Sequence, residues 1–137
     1  MKKEYLLTLA ISLIASHAYG QKFTIAEVTN ELISGANTLN RTLPMFINKD
    51  IRLETSIPGP GLRMTYIATV MNSKTNASTT RSDLNLELLK PGFCSESSKQ
   101  LLMKNGVVFA FMYRNQDLKP IANTEIRAAD CGLSVYR

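Results

Sequence analysis

Hydrophobic and polar positions follow two different rhythms along this chain. The densest apolar block is residues 106–114. There Val107, Phe109, Phe111 and Tyr113 fall on one side of an extended backbone, and Val108, Ala110 and Met112 on the other. Both sides are apolar, so the block predicts a central strand covered on two faces. Strict alternation recurs at 51–57, where Ile51, Leu53, Thr55 and Ile57 interleave with Arg52, Glu54 and Ser56, the pattern of a half-exposed strand. Residues 62–71 continue in the same way, with Met64, Tyr66, Ala68 and Val70 opposite Thr65, Ile67, Thr69 and Met71. Between these runs stands Pro58-Gly59-Pro60-Gly61, the strongest turn signal in the chain, so the two predict an antiparallel hairpin. A last strand over 119–128 sets Ala122, Thr124, Ile126 and Ala128 against Asn123, Glu125 and Arg127; Pro120 suits only its first positions.

The other rhythm is helical. Ile25, Val28, Leu32, Ala36 and Leu39 recur at the spacing of one helix face. Thr24 and Glu27 have the spacing of a capping box, so a helix is predicted over 25–39, weakened by Gly35 and stopped before Pro44. Ser82 suits the N-cap of a helix over 83–90 with Leu84, Leu88 and Leu89 inward. Leu84, Leu86 and Leu88 also alternate, so a strand competes there. Pro91-Gly92 is expected to break this element, and residues 95–104 to form a second short helix with Gly106 just past its end. Polar turns fall at 48–50 and 115–117, and a Ser/Thr-rich loop at 72–81. The order α-β-β-α-α-β-β predicts an α+β fold: an antiparallel sheet of about four strands with helices packed on it.

The first twenty residues read as a signal peptide rather than as part of this domain. Lys2 and Lys3 precede a mostly apolar stretch over 6–15, too short to span a bilayer comfortably, and Ala18-Tyr19-Gly20 supplies small residues where a signal peptidase cuts. Cleavage after Gly20 is expected, leaving residues 21–137 as a single domain with no membrane span; the alternative is a retained anchor. Removing Lys2, Lys3 and Glu4 from 16 basic and 11 acidic residues leaves 14 and 10, a net charge of +4. These basic residues are scattered singly without interleaved aromatics, which argues against nucleic acid as a partner and fits solubility or an acidic one. Cys94 and Cys131, the only cysteines, predict a disulfide in an exported chain, the alternative being two buried free thiols.

Chemistry is constrained mainly by what is missing. The one histidine, His17, lies in the predicted leader, so the mature domain has no imidazole for a catalytic base, a nucleophile pair or a metal ligand. No cofactor or metal site is expected. Asp50 and Glu54 are formally available as an acid and base pair for carboxylate-only hydrolysis, but no aromatic sugar platform accompanies them. Pro58 and Pro60 deprive the glycine-containing turn of the N–H donors a phosphate cradle needs. Asn40-Arg41-Thr42 and Asn76-Ala77-Ser78 match the N-glycosylation pattern, which matters only in a eukaryotic secretory pathway. The methionines read as packing residues. Met45-Phe46-Ile47 is the one apolar cluster that periodicity does not assign to the core, and it is a candidate partner-binding patch.

The second half of the chain has a recognisable layout. Phe93-Cys94 is followed by Leu101-Leu102, Gly106, an apolar strand, a polar turn, a second strand and Asp130-Cys131. It resembles small exported bacterial proteins in which a disulfide ties a helix to the last strand, and among them the α/β class of type II secretion pilotins. Asn48-Lys49-Asp50-Ile51-Arg52-Leu53, Pro60-Gly61 and Met64-Thr65-Tyr66 extend the likeness to uncharacterised exported bacterial proteins, so that it covers residues 47–131. The resemblance implies the fold and the disulfide pair; pilotins bind a tail of the outer-membrane secretin and are typically lipoproteins, whereas no cysteine stands near the cut here. The leading expectation is a non-enzymatic periplasmic or secreted bacterial protein that binds another envelope protein, through an edge strand or the Met45-Phe46-Ile47 region. The alternative is an inhibitor or immunity protein whose Pro58-Gly59-Pro60-Gly61 loop plugs a toxin's site.

Overall fold

The computed structural model describes residues 22–71 and 89–137. The leader with His17, the 72–81 loop, Asn76 and most of the ambiguous 83–90 segment lie outside the described residues. The first helix, α1 (Ile25–Asn40), starts where the sequence places it. Glu27 N donates to Thr24 Oγ1 at 3.1 Å and Thr24 N to Glu27 Oε2 at 2.7 Å, which satisfies donors that the first turn leaves unpaired. Val28, Leu32, Ala36 and Leu39 form its buried stripe.

Five strands follow: β1 (Met45–Phe46), β2 (Ile51–Pro58), β3 (Arg63–Val70), β4 (Val108–Arg114) and β5 (Pro120–Ile126). Between β3 and β4 the chain forms α2 (Leu89–Ser95) and α3 (Ser97–Lys104), and a 3-10 turn (Ala128–Cys131) closes it. The strands lie in the order β1-β2-β3-β4-β5. The hairpin of β2 and β3 is antiparallel, and so are β1 with β2 and β4 with β5, but β3 and β4 run parallel. The sheet is therefore mixed and five-stranded, and the element order among the described residues is α-β-β-β-α-α-β-β, which corrects the expected antiparallel sheet of about four strands. Neighbouring parallel strands need a long crossover to bring the chain back, and the helical connection between β3 and β4 supplies it. Pro91 does not break its helix as expected: it sits in the first turn of α2, where a proline's missing N–H costs nothing.

The helices share one face of the sheet. α1 lies over β2, and α2 inserts Phe93 among aromatic side chains from β3 and β4. Phe93 packs edge-on against Phe109 and Phe111 with centroids 5.2 and 5.3 Å apart, and Tyr66 stacks on Phe111 at 5.0 Å. Such pairings add to the burial of large rings. Lys99 of α3 is only 1 % exposed; its Nζ lies 4.6 Å from the Phe93 centroid and is ion-paired with Glu96. Burial pushes the Lys99 pKa down, against the pull of Glu96, and the net direction is down. Cys94 and Cys131 form a disulfide that fastens α2 to the 3-10 turn across a separation of 37 residues.

The opposite face is a second correction. β4 is central in the sheet, yet only Phe109, Phe111 and Tyr113 lie under helices. On its other side Ala110 is buried, but Met112 is 42 % exposed and Val108 half-buried. The adjacent Ile67 is half-buried and Ile57 is 43 % exposed. Among the described residues no helix packs over this face, which we call the open face. The simple alternation read in β2 also fails part-way. The register shifts between Leu53 and Thr55, a bulge that spends an extra residue at Glu54. Beyond it Ser56 faces the helices, while Thr55 and Ile57 turn to the open face.

Candidate functional site

The residues that the sequence singles out for partner binding do not form one surface. Met45 and Phe46 make the short edge strand β1, paired with Leu53 and Arg52. Ile47 packs against the core, and its N–H donates to Ile51 O at 2.9 Å. Phe46 points to the open face and is 55 % exposed. Pro58, Gly59, Pro60 and Gly61 lie at the far end of the sheet. Gly59 and Gly61 take φ of +82° and +71°, values that suit glycine, the Gly59-Pro60 bond is cis, and Gly59 N donates to Arg63 O at 2.7 Å. Pro60 and Gly61 are exposed there, while Pro58 and Gly59 are half-buried.

Phe46 instead belongs to a row that crosses four strands. It is paired with Arg52, Arg52 with Thr69, and Thr69 with Arg114. Paired residues project to the same face, so these four side chains line up across the open face at the end of the strands away from the Pro58–Gly61 turn. The Glu54 bulge brings a carboxylate into the row. Arg52 Nε donates to Glu54 Oε1 at 2.9 Å, and Arg114 Nε donates to Thr69 Oγ1 at 3.1 Å. Burial pushes the Glu54 carboxyl up, but bonds from Thr69 and Arg52 and the charges of Arg52 and Arg114 outweigh it, so the carboxyl sits below its ordinary value. Glu54 is thus held ionised and is poorly suited to donate a proton near neutrality. Asp50, its supposed partner in hydrolysis, is exposed in the 47–50 turn beside Lys49, and no hydrogen bond joins the two carboxylates. Among the described residues no group of three His, Cys, Asp or Glu side chains is placed to hold a metal ion.

Solved structures share this architecture. A Pseudomonas aeruginosa protein classed as secreted superposes with a TM-score of 0.66 at 22 % identity, over 82 % of this chain and 99 % of that one. The pilotin EpsS of the Vibrio vulnificus type 2 secretion system gives 0.65 at 13 % identity, and the type II secretion system pilotin AspS of Vibrio cholerae gives 0.61 at 12 %. Each pilotin match spans 78 % of this chain and 94 % of the pilotin. The fold is similar to that of the type II secretion pilotins. At these identities the likeness is one of fold, and it extends beyond the segment on which the sequence resemblance rests. No family model and no curated protein matches the sequence. No helix among the described residues is long and apolar enough to cross a membrane.

Of the four residues in this row, the sequence pattern singles out Phe46 alone and not Arg52, Thr69 or Arg114. Each arginine reads as an isolated surface charge until strand register is known. The available signal is that both arginines occupy polar positions at strand ends, and that alone does not say which strands are neighbours.

Proposed function

We propose that this chain is an exported bacterial accessory of an envelope secretion system, and that it works by binding another envelope protein rather than by catalysis. On this reading residues 1–20 are a leader removed after Gly20, and residues 21–137 are the working domain, periplasmic or secreted. The fold similarity to EpsS and AspS supports the secretion context. The observation that carries the binding role is the row Phe46, Arg52, Thr69 and Arg114 on an open sheet face, with apolar Ile57 and Met112 exposed on the same face. Exposed apolar surface rimmed by charge is the usual composition of a protein-binding patch.

Affinity capture from the envelope of the native host tests this reading. The wild-type domain is expected to retain one envelope protein in stoichiometric amount. Phe46→Asp places a charge at the exposed end of the row, away from the core, and is expected to reduce capture at least tenfold, about 1.4 kcal/mol, with an unchanged thermal midpoint. Failure of the wild-type domain to retain any partner contradicts the binding role; loss of folding in Phe46→Asp shows that this side chain is structural.

A further inference from the structure

The two ends of the open face treat their arginines differently. At the end near the Pro58–Gly61 turn, terminal nitrogens of both Arg63 and Arg127 donate to Glu125. At the opposite end Arg52 directs its Nε to Glu54 and Arg114 its Nε to Thr69. Among the described residues, the terminal nitrogens of Arg52 and Arg114 donate to nothing. A guanidinium carries five N–H donors in a planar fork, and the paired terminal donors match the two oxygens of a carboxylate.

These side chains line a cleft of about 250 Å³, with Glu54 and Thr69 between the arginines and Met71 and Leu118 beside them. The backbone around it is irregular in three places. One bulge delivers Glu54, a second register shift opposite Tyr113 and Arg114 leaves Ile121 as an extra residue on β5, and Leu118 takes φ of +64°, left-handed for a non-glycine residue. Asn115 builds the turn that holds Leu118 there: its Oδ1 accepts from Asp117 N at 2.9 Å and Lys119 N at 3.0 Å, and its backbone O accepts from Leu118 N at 3.0 Å. Leu118 is 64 % exposed in consequence. Bulges and strained residues concentrate where a fold aims side chains at a ligand. Two arginines and one glutamate leave the cleft a net charge of +1, which suits a monoanion better than a phosphate carrying nearly two charges.

We propose that this cleft is a carboxylate-binding subsite, in which Arg52 and Arg114 hold the carboxylate of a partner peptide while Leu118 and Met71 receive the apolar side chain next to it. The inference rests on the protein-binding reading above and names the chemistry that the partner presents.

The test titrates N-acetyl-Ala-Leu with a free C-terminal carboxylate into the exported chain, and NMR follows the Arg114 Nε–H and the Leu118 amide. Saturable shifts of both signals are expected. The C-amidated peptide is expected to bind at least about tenfold more weakly, the loss for one charged hydrogen bond. N-acetyl-Glu-Leu-amide moves the carboxylate to a side chain, and its affinity relative to the first peptide says whether a chain terminus or an acidic residue is taken. Arg114→Gln is expected to weaken binding about tenfold. Leu118→Gly fits the left-handed backbone, so it keeps the fold and still weakens binding severalfold; it decides the matter if Arg114→Gln does not fold. Three results overturn the proposal: no saturable shift with either carboxylate peptide, equal binding of the amidated peptide, or tighter saturation of the same signals by inorganic phosphate. Envelope capture separates this inference from the functional reading. Capture that Phe46→Asp abolishes and Arg114→Gln leaves intact sinks the cleft alone, whereas peptide binding with no captured partner sinks the functional reading alone.

Discussion

At the C-terminus of α1 the side chain of Asn40 stands in for a neighbouring strand. Its Oδ1 accepts from Ser56 N at 2.8 Å and from Ser56 Oγ at 2.9 Å, and its Nδ2 donates to Ser56 O at 2.9 Å. Beyond the two-residue β1, these bonds satisfy the outward backbone groups of buried Ser56, so β2 presents less edge for unwanted pairing. Asn40→Ala is expected to lower stability by about 2 kcal/mol in urea unfolding, because it leaves buried backbone groups unpaired; a change under about 0.5 kcal/mol would show that water replaces the amide. In the sequence this residue reads only as part of a glycosylation pattern, since a bond to a backbone 16 residues away depends on tertiary placement. Glu54 was legible as an outward-facing carboxylate but not as a bulge. Its folded pKa lies below the ordinary 4.5, so the stability it contributes is fully present above the unfolded value and is lost as pH falls through the folded one. Wild type is therefore expected to exceed Glu54→Gln in stability at pH 7, with the gap closing as pH drops below about 4.5; a gap that persists at pH 2 contradicts the assignment.

At the scale of elements, the capping box of α1, the β2–β3 hairpin, the end of α3 and the first residue of β5 all follow from local pattern. The parallel pairing of β3 with β4 does not, because alternation tells which residues share a face and nothing about strand direction. The helical crossover between the two strands was the available clue. Nor does periodicity reveal Lys99 as buried: a lysine in a short amphipathic segment reads as solvated, whereas in the fold it lies against the Phe93 ring and pairs with Glu96. The disulfide was legible from the cysteine count and the leader-like N-terminal pattern. Closing a loop of 37 residues stabilises the fold by about 4 kcal/mol on the chain-entropy account. Cys94→Ser with Cys131→Ser is expected to lower unfolding stability by that order and to loosen α2 from the 3-10 turn, seen as faster amide exchange around Phe93. Unchanged stability would mean that the aromatic packing of Phe93 alone holds α2 in place.

At the scale of the whole molecule, the fold is asymmetric across its sheet. All described helices gather on the aromatic face, and the face carrying Phe46, Arg52, Arg114 and Met112 is covered by no described helix, although Thr65, Thr69 and Ala110 on it are buried. The sequence leads to the opposite expectation for β4 because Val108, Ala110 and Met112 are as apolar as the residues beneath the helices. An apolar second face reads as core whether it is covered by the same chain or by another one. That ambiguity makes the open face the centre of this account. The most direct measurement places a photo-crosslinking residue at Met112 on the open face and, separately, at Ser34 on the exposed side of α1, in cells of the native host. The account predicts a single adduct of defined mass from position 112, lost with Phe46→Asp, and none from position 34. No adduct from position 112, or the same adduct from both positions, would contradict it.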